Sequence, residues 1–122
     1  MSIKQSFINA GKKNKAIEIK EIGETVYINK WTAKQRAVII PDLSGFEEAE
    51  SNKEKYKDMI TNMAKIVQVS LLDADGQRVF EDTQEDLEIL LNFDGEIIEK
   101  LFTEILDYNG MGEDKVKEAA KN

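Results

Sequence analysis

Eight carboxylates fall between Glu81 and Glu99, with no basic residue among them. Paired carboxylates can perform acid–base catalysis or hold Mg²⁺, but both tasks need an enclosed site that shifts a pKa or fixes geometry. Here the acids alternate with apolar residues at helical spacing. They fall mainly on the polar face of amphipathic helices, which reads as a solvated surface or as a docking face for a basic partner. A second candidate is D-A-D-G at Asp73 to Gly76. In a calcium loop of the EF-hand type the glycine is the sixth position, which puts Leu71 first and Asp82 last. Leucine cannot ligate calcium, and the bidentate Glu is missing. The four residues read instead as a turn, where Asp bonds its own backbone and Gly tolerates positive φ. Lys12, Lys13 and Lys15 could touch phosphates, but no arginine or aromatic residue stands beside them, and the chain carries a net charge of −7. Nucleic-acid binding is therefore not expected. With no cysteine and no histidine, thiol chemistry, disulfides and thiolate zinc sites are excluded, and the commonest general base is missing. No catalytic, metal-binding or cofactor-binding residue is assigned, and the chain is not read as an enzyme.

What remains is a protein that works by contact, and its elements follow from periodicity. A length of 122 residues with 41% apolar content suits one domain with a modest core. Residues 16–31 read as two strands turning at Gly23. Ile17 and Ile19 share one face of the first, and Val26 and Ile28 one face of the second, with Tyr27, Asn29 and Trp31 opposite. A hairpin alone is marginal in water, so it must pack on helices or pair with another chain. Thr32 with Gln35 forms a capping box that opens a short helix, expected to stop near Ile40 before Pro41. The longest helix is expected over Phe46 to Leu72, with Tyr56, Met59, Ile60, Met63, Ala64 and Val67 on one stripe. Its last apolar residues, IVQVSLL, are deeply buried helix or partly strand. Thr83 with Asp86 caps a helix striped by Leu87, Leu90 and Leu91, and Asp94 caps the next, striped by Ile97, Ile98, Leu101, Phe102, Ile105 and Leu106. Gly110 ends it.

The predicted fold is α+β and mainly α-helical, an N-terminal β-hairpin followed by four to five packed helices. Residues 1–15 are expected to form a flexible arm, 16–112 a single globular domain, and 113–122 a frayed helix or tail. The stripe Ile98, Leu101, Phe102 and Ile105, with Met59 and Met63, is first a core; it is also the candidate partner-binding face, because such spacing suits helix-in-groove recognition and Met repacks readily. No apolar run reaches the roughly 20 residues of a membrane helix. The first residues also lack the order of a secretory signal, so the cytoplasm is the expected compartment. Charge is lopsided. Residues 1–45 hold eight Lys/Arg against four Asp/Glu, and residues 46–122 hold nine against twenty, giving +4 and −11. Head-to-tail attraction between copies could follow.

The order of these pieces resembles a family, the tail assembly chaperones of long-tailed bacteriophages and related prophages. There a G-x-x-V-Y-V strand leads into a T-A-x-x-R helix. An apolar segment later ends in D-x-D-G-x-x-x-F, before a D-L-x-x-L-L helix and one that closes near Leu-Asn-Gly. Gly23, Val26, Tyr27, Thr32, Ala33 and Arg36 fit the first part. Asp73, Asp75, Gly76, Phe80, Asp86, Leu87, Leu90, Leu91, Leu101, Asn109 and Gly110 fit the second. The match covers residues 15–112. Ile28 departs from the pattern, as does the charged, glycine-poor link from Glu47 to Lys57.

The resemblance implies a non-enzymatic protein of the host cytoplasm, absent from the mature virion. Such a protein coats the tape measure protein and keeps it soluble during tail morphogenesis. Self-association is an expectation of a different kind, from the unpaired edge of the hairpin and the lopsided charge. Some relatives also have a longer frameshifted form that recruits the tail tube protein. Lys121-Asn122 could be encoded by an A-rich slippery heptamer, or could be an ordinary polar terminus. Two alternatives are another small phage structural protein, such as a head–tail connector subunit, and a small regulatory binding protein.

Overall fold

The computed structural model describes residues 2–10, 14–43 and 53–111. The hairpin forms as its alternation predicts. Strand β1, Asn14–Ile19, pairs antiparallel with β2, Glu24–Asn29, in the register Ile17↔Val26. Gly23 takes φ +67 in the connecting turn, a conformation that costs glycine nothing. The two-residue period puts Ile17, Ile19, Val26 and Ile28 on the buried face. The strand begins at Asn14, two residues before the predicted start, because Asn14 and Lys15 find partners in Asn29 and Ile28.

The apolar run IVQVSLL resolves into both of its readings. Helix α3 spans Lys53–Ser70, and Leu71–Leu72 leave it to form β3. Leu71 pairs with Ile28 and Leu72 with Tyr27, so the hairpin is completed to a three-stranded sheet ordered β1-β2-β3. The predicted helix therefore ends two residues early. The part of the prediction from Phe46 to Asn52 lies outside the described residues.

Asp73 to Gly76 form the turn after β3. The Asp73 carboxylate accepts from the amides of Asp75 and Gln77 at 2.9 and 3.0 Å, and the chain returns so that Arg78 bridges Leu72. Gly76 has φ +79, and a Cβ built there meets nothing within 4 Å. Gly76→Ala should therefore cost only the left-handed backbone penalty, about 1–2 kcal/mol. Chemical denaturation would measure it, and a loss well above that would mean the turn is held in some other way.

Helix α2, Ala33–Asp42, opens on the predicted capping box. Thr32 Oγ1 accepts from the Gln35 amide at 3.1 Å, and Gln35 Oε1 accepts from the Thr32 amide at 2.9 Å. The helix runs two residues past the predicted stop at Ile40 and absorbs Pro41. So close to the end, the missing proline N–H removes a single bond. The Leu43 amide then closes the helix on the Ile40 carbonyl at 3.0 Å, with Leu43 fully buried as an anchor.

Helix α4, Gln84–Leu91, and helix α5, Gly95–Tyr108, start on Thr83 and Asp94 as their caps predict. Past α5 the Gly110 amide bonds the Asp107 carbonyl and the Met111 amide bonds the Leu106 carbonyl. With Gly110 at φ +72, this is a Schellman ending. Helix α3 packs against both α4 and α5. Ile28, Leu43, Ile66, Val67 and Ile105 lie deepest. The molecule is α+β and mainly helical. Four helices follow the hairpin among the described residues, and α1, Ile3–Ala10, precedes it. Helix α1 falls within the predicted arm and buries none of its residues.

Trp31 corrects another expectation. Alternation placed it with Tyr27 and Asn29 on the face opposite Val26 and Ile28, yet it is buried as they are. The strand ends at Asn29, so period two no longer governs Trp31. Its indole N–H donates to Ser70 Oγ at 3.2 Å, and its amide donates to Asn109 Oδ1 at 2.7 Å. Asn109 Nδ2 in turn donates to the Ile105 carbonyl at 2.9 Å, and Arg36 donates to the Asn109 carbonyl at 3.3 Å. Lys30 adds a bond to the Tyr108 carbonyl and lies 4.4 Å from the centre of the Tyr108 ring. The end of α5 is thereby fastened to the junction of β2 and α2.

Candidate functional site

The residues expected to meet a partner divide in two. Ile98, Leu101, Phe102 and Ile105 are buried in the core, packed against α3. Met59 and Met63 are half-buried on α3. Met63 and Phe102 edge a shallow hollow of about 350 Å³ with Leu106 and Met111, and Met59 does not line it. The stripe as drawn is therefore not one continuous open face in the isolated chain.

The carboxylates of residues 81–99 do not converge. The Asp86 carboxylate accepts from the Glu81 amide at 2.6 Å, and Asp94 accepts from the amides of Glu96 and Ile97 at 2.9 and 3.3 Å. Two of the acids are thus spent on chain ends, and most of the others are exposed. Among the described residues no group of three or more acids is placed to hold a metal ion, and no helix is long and apolar enough to cross a membrane. Of the basic cluster, Lys15 pairs with Glu104 at 2.9 Å, both partly exposed; Lys12 and Lys13 lie outside the described residues. A cleft of about 370 Å³ opens between α2, α3 and the start of α4, lined by Val38, Lys65, Gln68 and Thr83 among others. Buried Gln68 closes one side of it by donating to the Glu81 and Thr83 carbonyls at 2.7 and 3.0 Å.

A second opening has the character of a contact site. It is a groove of about 190 Å³ whose lining side chains are all apolar. Ile22 of the hairpin turn forms one wall, and Val79 and Phe80 after the Asp73 turn form another. Ile89 and Phe93 close the third side, and Leu101 lies at the floor. Ile22, Val79 and Ile89 are about half exposed. Each wall depends on local structure already described. The Gly23 turn presents Ile22, and the Asp73 turn carries Val79 and Phe80 back beside the hairpin. The Thr83 cap orients α4 so that Ile89 faces outward.

Sequence reasoning reached only the floor of this groove, through Ile98 and Leu101. The missed signal was Ile89, which stands off the Leu87–Leu90–Leu91 stripe. Val79, Phe80 and Ile22, apolar residues in or beside turns, were the rest of it. Singly such residues are ordinary; it is their meeting in one contiguous apolar patch that marks a contact surface.

No protein-family model matches the chain, and no curated protein does. Its structure is similar to that of the bacteriophage HK97 tail assembly chaperone, with a TM-score of 0.61 and 15% sequence identity. The similarity spans 84% of this chain and 96% of that one. The chain has the fold of a bacteriophage tail assembly chaperone.

Proposed function

We propose that this chain is a phage tail assembly chaperone. It binds apolar stripes of the tape measure protein and keeps that protein soluble until tail tube subunits enclose it. The observation that carries the reading is the fold shared with the HK97 chaperone over nearly the whole of that protein. The groove supplies a physical means. At about 190 Å³ it falls below the roughly 300–1,000 Å³ of small-molecule sites. Its size and apolar lining suit one or two anchor side chains from an amphipathic helix, spaced i and i+4. The segment that carries Ile89, Leu90, Phe93 and Ile98 of the groove holds eight acids and no base, which favours helices with basic residues beside their anchors. Many copies, each with one modest contact, cover a long client by avidity.

In this reading the protein is non-enzymatic, works in the host cytoplasm and leaves before the virion matures. A longer frameshifted form would recruit the tail tube protein. Co-expression with an otherwise insoluble tape measure fragment from the same phage tests it. The fragment should become soluble and co-purify with the chain. Ile89→Glu should abolish that without changing the far-UV circular dichroism. A fragment that stays insoluble, or recovery of the chain in purified virions, would overturn the reading. The second outcome would favour a structural component such as a connector subunit.

A further inference from the structure

Within the sequence, Asn109 alone is an asparagine followed by glycine. That pair carries chemistry of its own. Glycine has no side chain to shield its backbone nitrogen, so the Gly110 nitrogen can attack the Asn109 carboxamide carbon and close a five-membered ring. The ring forms only when Asn109 Cβ and the Gly110 nitrogen lie on the same side of the Cα–C bond. The carboxamide must also be free to swing toward that nitrogen.

The closed fold withholds each condition. Asn109 holds φ −98 and ψ 11, which turns the Gly110 nitrogen away from Cβ. The carboxamide is buried and held at both ends. Its Oδ1 accepts from the Trp31 amide at 2.7 Å, and its Nδ2 donates to the Ile105 carbonyl at 2.9 Å. The Gly110 N–H, which must be given up before the nitrogen attacks, donates to the Asp107 carbonyl at 3.1 Å. Gly110 itself is exposed, so water and hydroxide are at hand once those bonds part. The reactive pair thus sits on the fastening between α5 and the β2–α2 junction.

We propose that Asn109–Gly110 is a self-modification site, inert while that junction is closed and converted irreversibly when it opens. Hydroxide takes the Gly110 amide proton, and the nitrogen bonds to Asn109 Cγ. The Cγ–Nδ2 bond breaks, and Nδ2 leaves as ammonia with a proton from water. Water then adds to the cyclic imide. Opening at Cγ gives aspartate, and opening at the main-chain carbonyl gives isoaspartate; water is the only co-reactant. The aspartate loses the donor to the Ile105 carbonyl. The isoaspartate threads the main chain through Cβ and displaces the Gly110 and Met111 amides from the Asp107 and Leu106 carbonyls. Either product closes more weakly than the asparagine did, so each conversion makes the next opening more frequent.

Mass spectrometry of the purified full chain, kept at one temperature and mildly alkaline pH with and without urea, is the test. Conversion of an amide to an acid changes the mass. Rearrangement at Asp75 or Asp94, which also precede glycine, does not. In urea the acid should accumulate, and peptide mapping should place it at Asn109. In buffer it should form at least about tenfold more slowly, because the reaction then waits on local opening. Arg36→Gln removes the bond to the Asn109 carbonyl. It should speed the reaction in buffer by about threefold or more and leave the rate in urea unchanged; circular dichroism checks that this variant stays folded. Chain aged in urea and returned to buffer should contain a modified fraction that unfolds at lower urea concentration than the rest. Equal rates with and without urea would overturn the proposal. So would an Arg36→Gln rate in buffer equal to wild type, or a modified fraction as stable as the unmodified chain.

Discussion

Ile28→Ala should lower the unfolding free energy by about 3–4 kcal/mol, within the range for emptying a fully buried Ile site. Ile28 is 0% exposed, and it sits in the middle strand with Lys15 beside it on β1 and Leu71 on β3. Its loss opens a cavity where sheet and helices meet. The surroundings relax poorly because Val67 and Ile105 are themselves fully packed. Domains of this size are stable by about 5–15 kcal/mol, so roughly a fifth or more of the total would go. Urea unfolding followed by circular dichroism and by Trp31 fluorescence would measure it. Ile28→Val removes one methylene while keeping the β-branch. It should cost only about 1 kcal/mol. Equal losses for the two variants would mean that side-chain volume at this position is not what holds the sheet to the helices.

Asn109→Ala should cost about 2–3 kcal/mol. The side chain is nearly buried and serves two elements at once, accepting from the Trp31 amide at 2.7 Å and donating to the Ile105 carbonyl at 2.9 Å. Truncation leaves the Trp31 N–H without a partner in a place water does not reach, and an orphaned buried donor costs about 1–3 kcal/mol by itself. Asn109→Asp keeps the acceptor and loses the donor. The carboxylate then faces the Ile105 carbonyl in a buried place, so added salt should do little to relieve the repulsion. Trp31 fluorescence should shift to longer wavelength in the alanine variant, as the β2–α2 junction loosens and admits solvent. An alanine variant within about 0.5 kcal/mol of wild type, the range of ordinary surface changes, would show that the fastening is ornamental.

These two positions also show how far the sequence could be read. Ile28 was legible, since alternation over Glu24–Asn29 assigns its face and the hairpin follows from Gly23. Helix starts were legible at Thr32, Thr83 and Asp94, where a side chain satisfies orphan amides, but not at Ser2, whose hydroxyl accepts from the Gln5 amide at 3.1 Å at the start of α1. Their ends were less so. Pro41 marks a boundary statistically, yet one residue from the end of a helix it removes too little to enforce one. Leu71 and Leu72 could not be assigned from period, because two residues carry none; only the presence of β2 alongside makes them a strand. Asn109 and Arg36 could be quoted as parts of a pattern, but nothing local says that they meet across the molecule. The groove was harder still. Its walls come from three separate turns and helices, and each contributes one or two apolar residues too few to make a periodic signal.

The Trp31–Asn109 bond joins residues 78 positions apart. A ribosome must therefore finish nearly the whole domain before the hairpin, made first, acquires its last support. β3 is made at Leu71–Leu72, but until α5 follows, the Trp31 amide lacks its partner and the core lacks Ile105. Closing so distant a pair adds little equilibrium penalty, because loop entropy grows only as the logarithm of length. Pairings of this kind nevertheless fold slowly. The chain is thus obliged, at its own birth, to leave part of its own core bare.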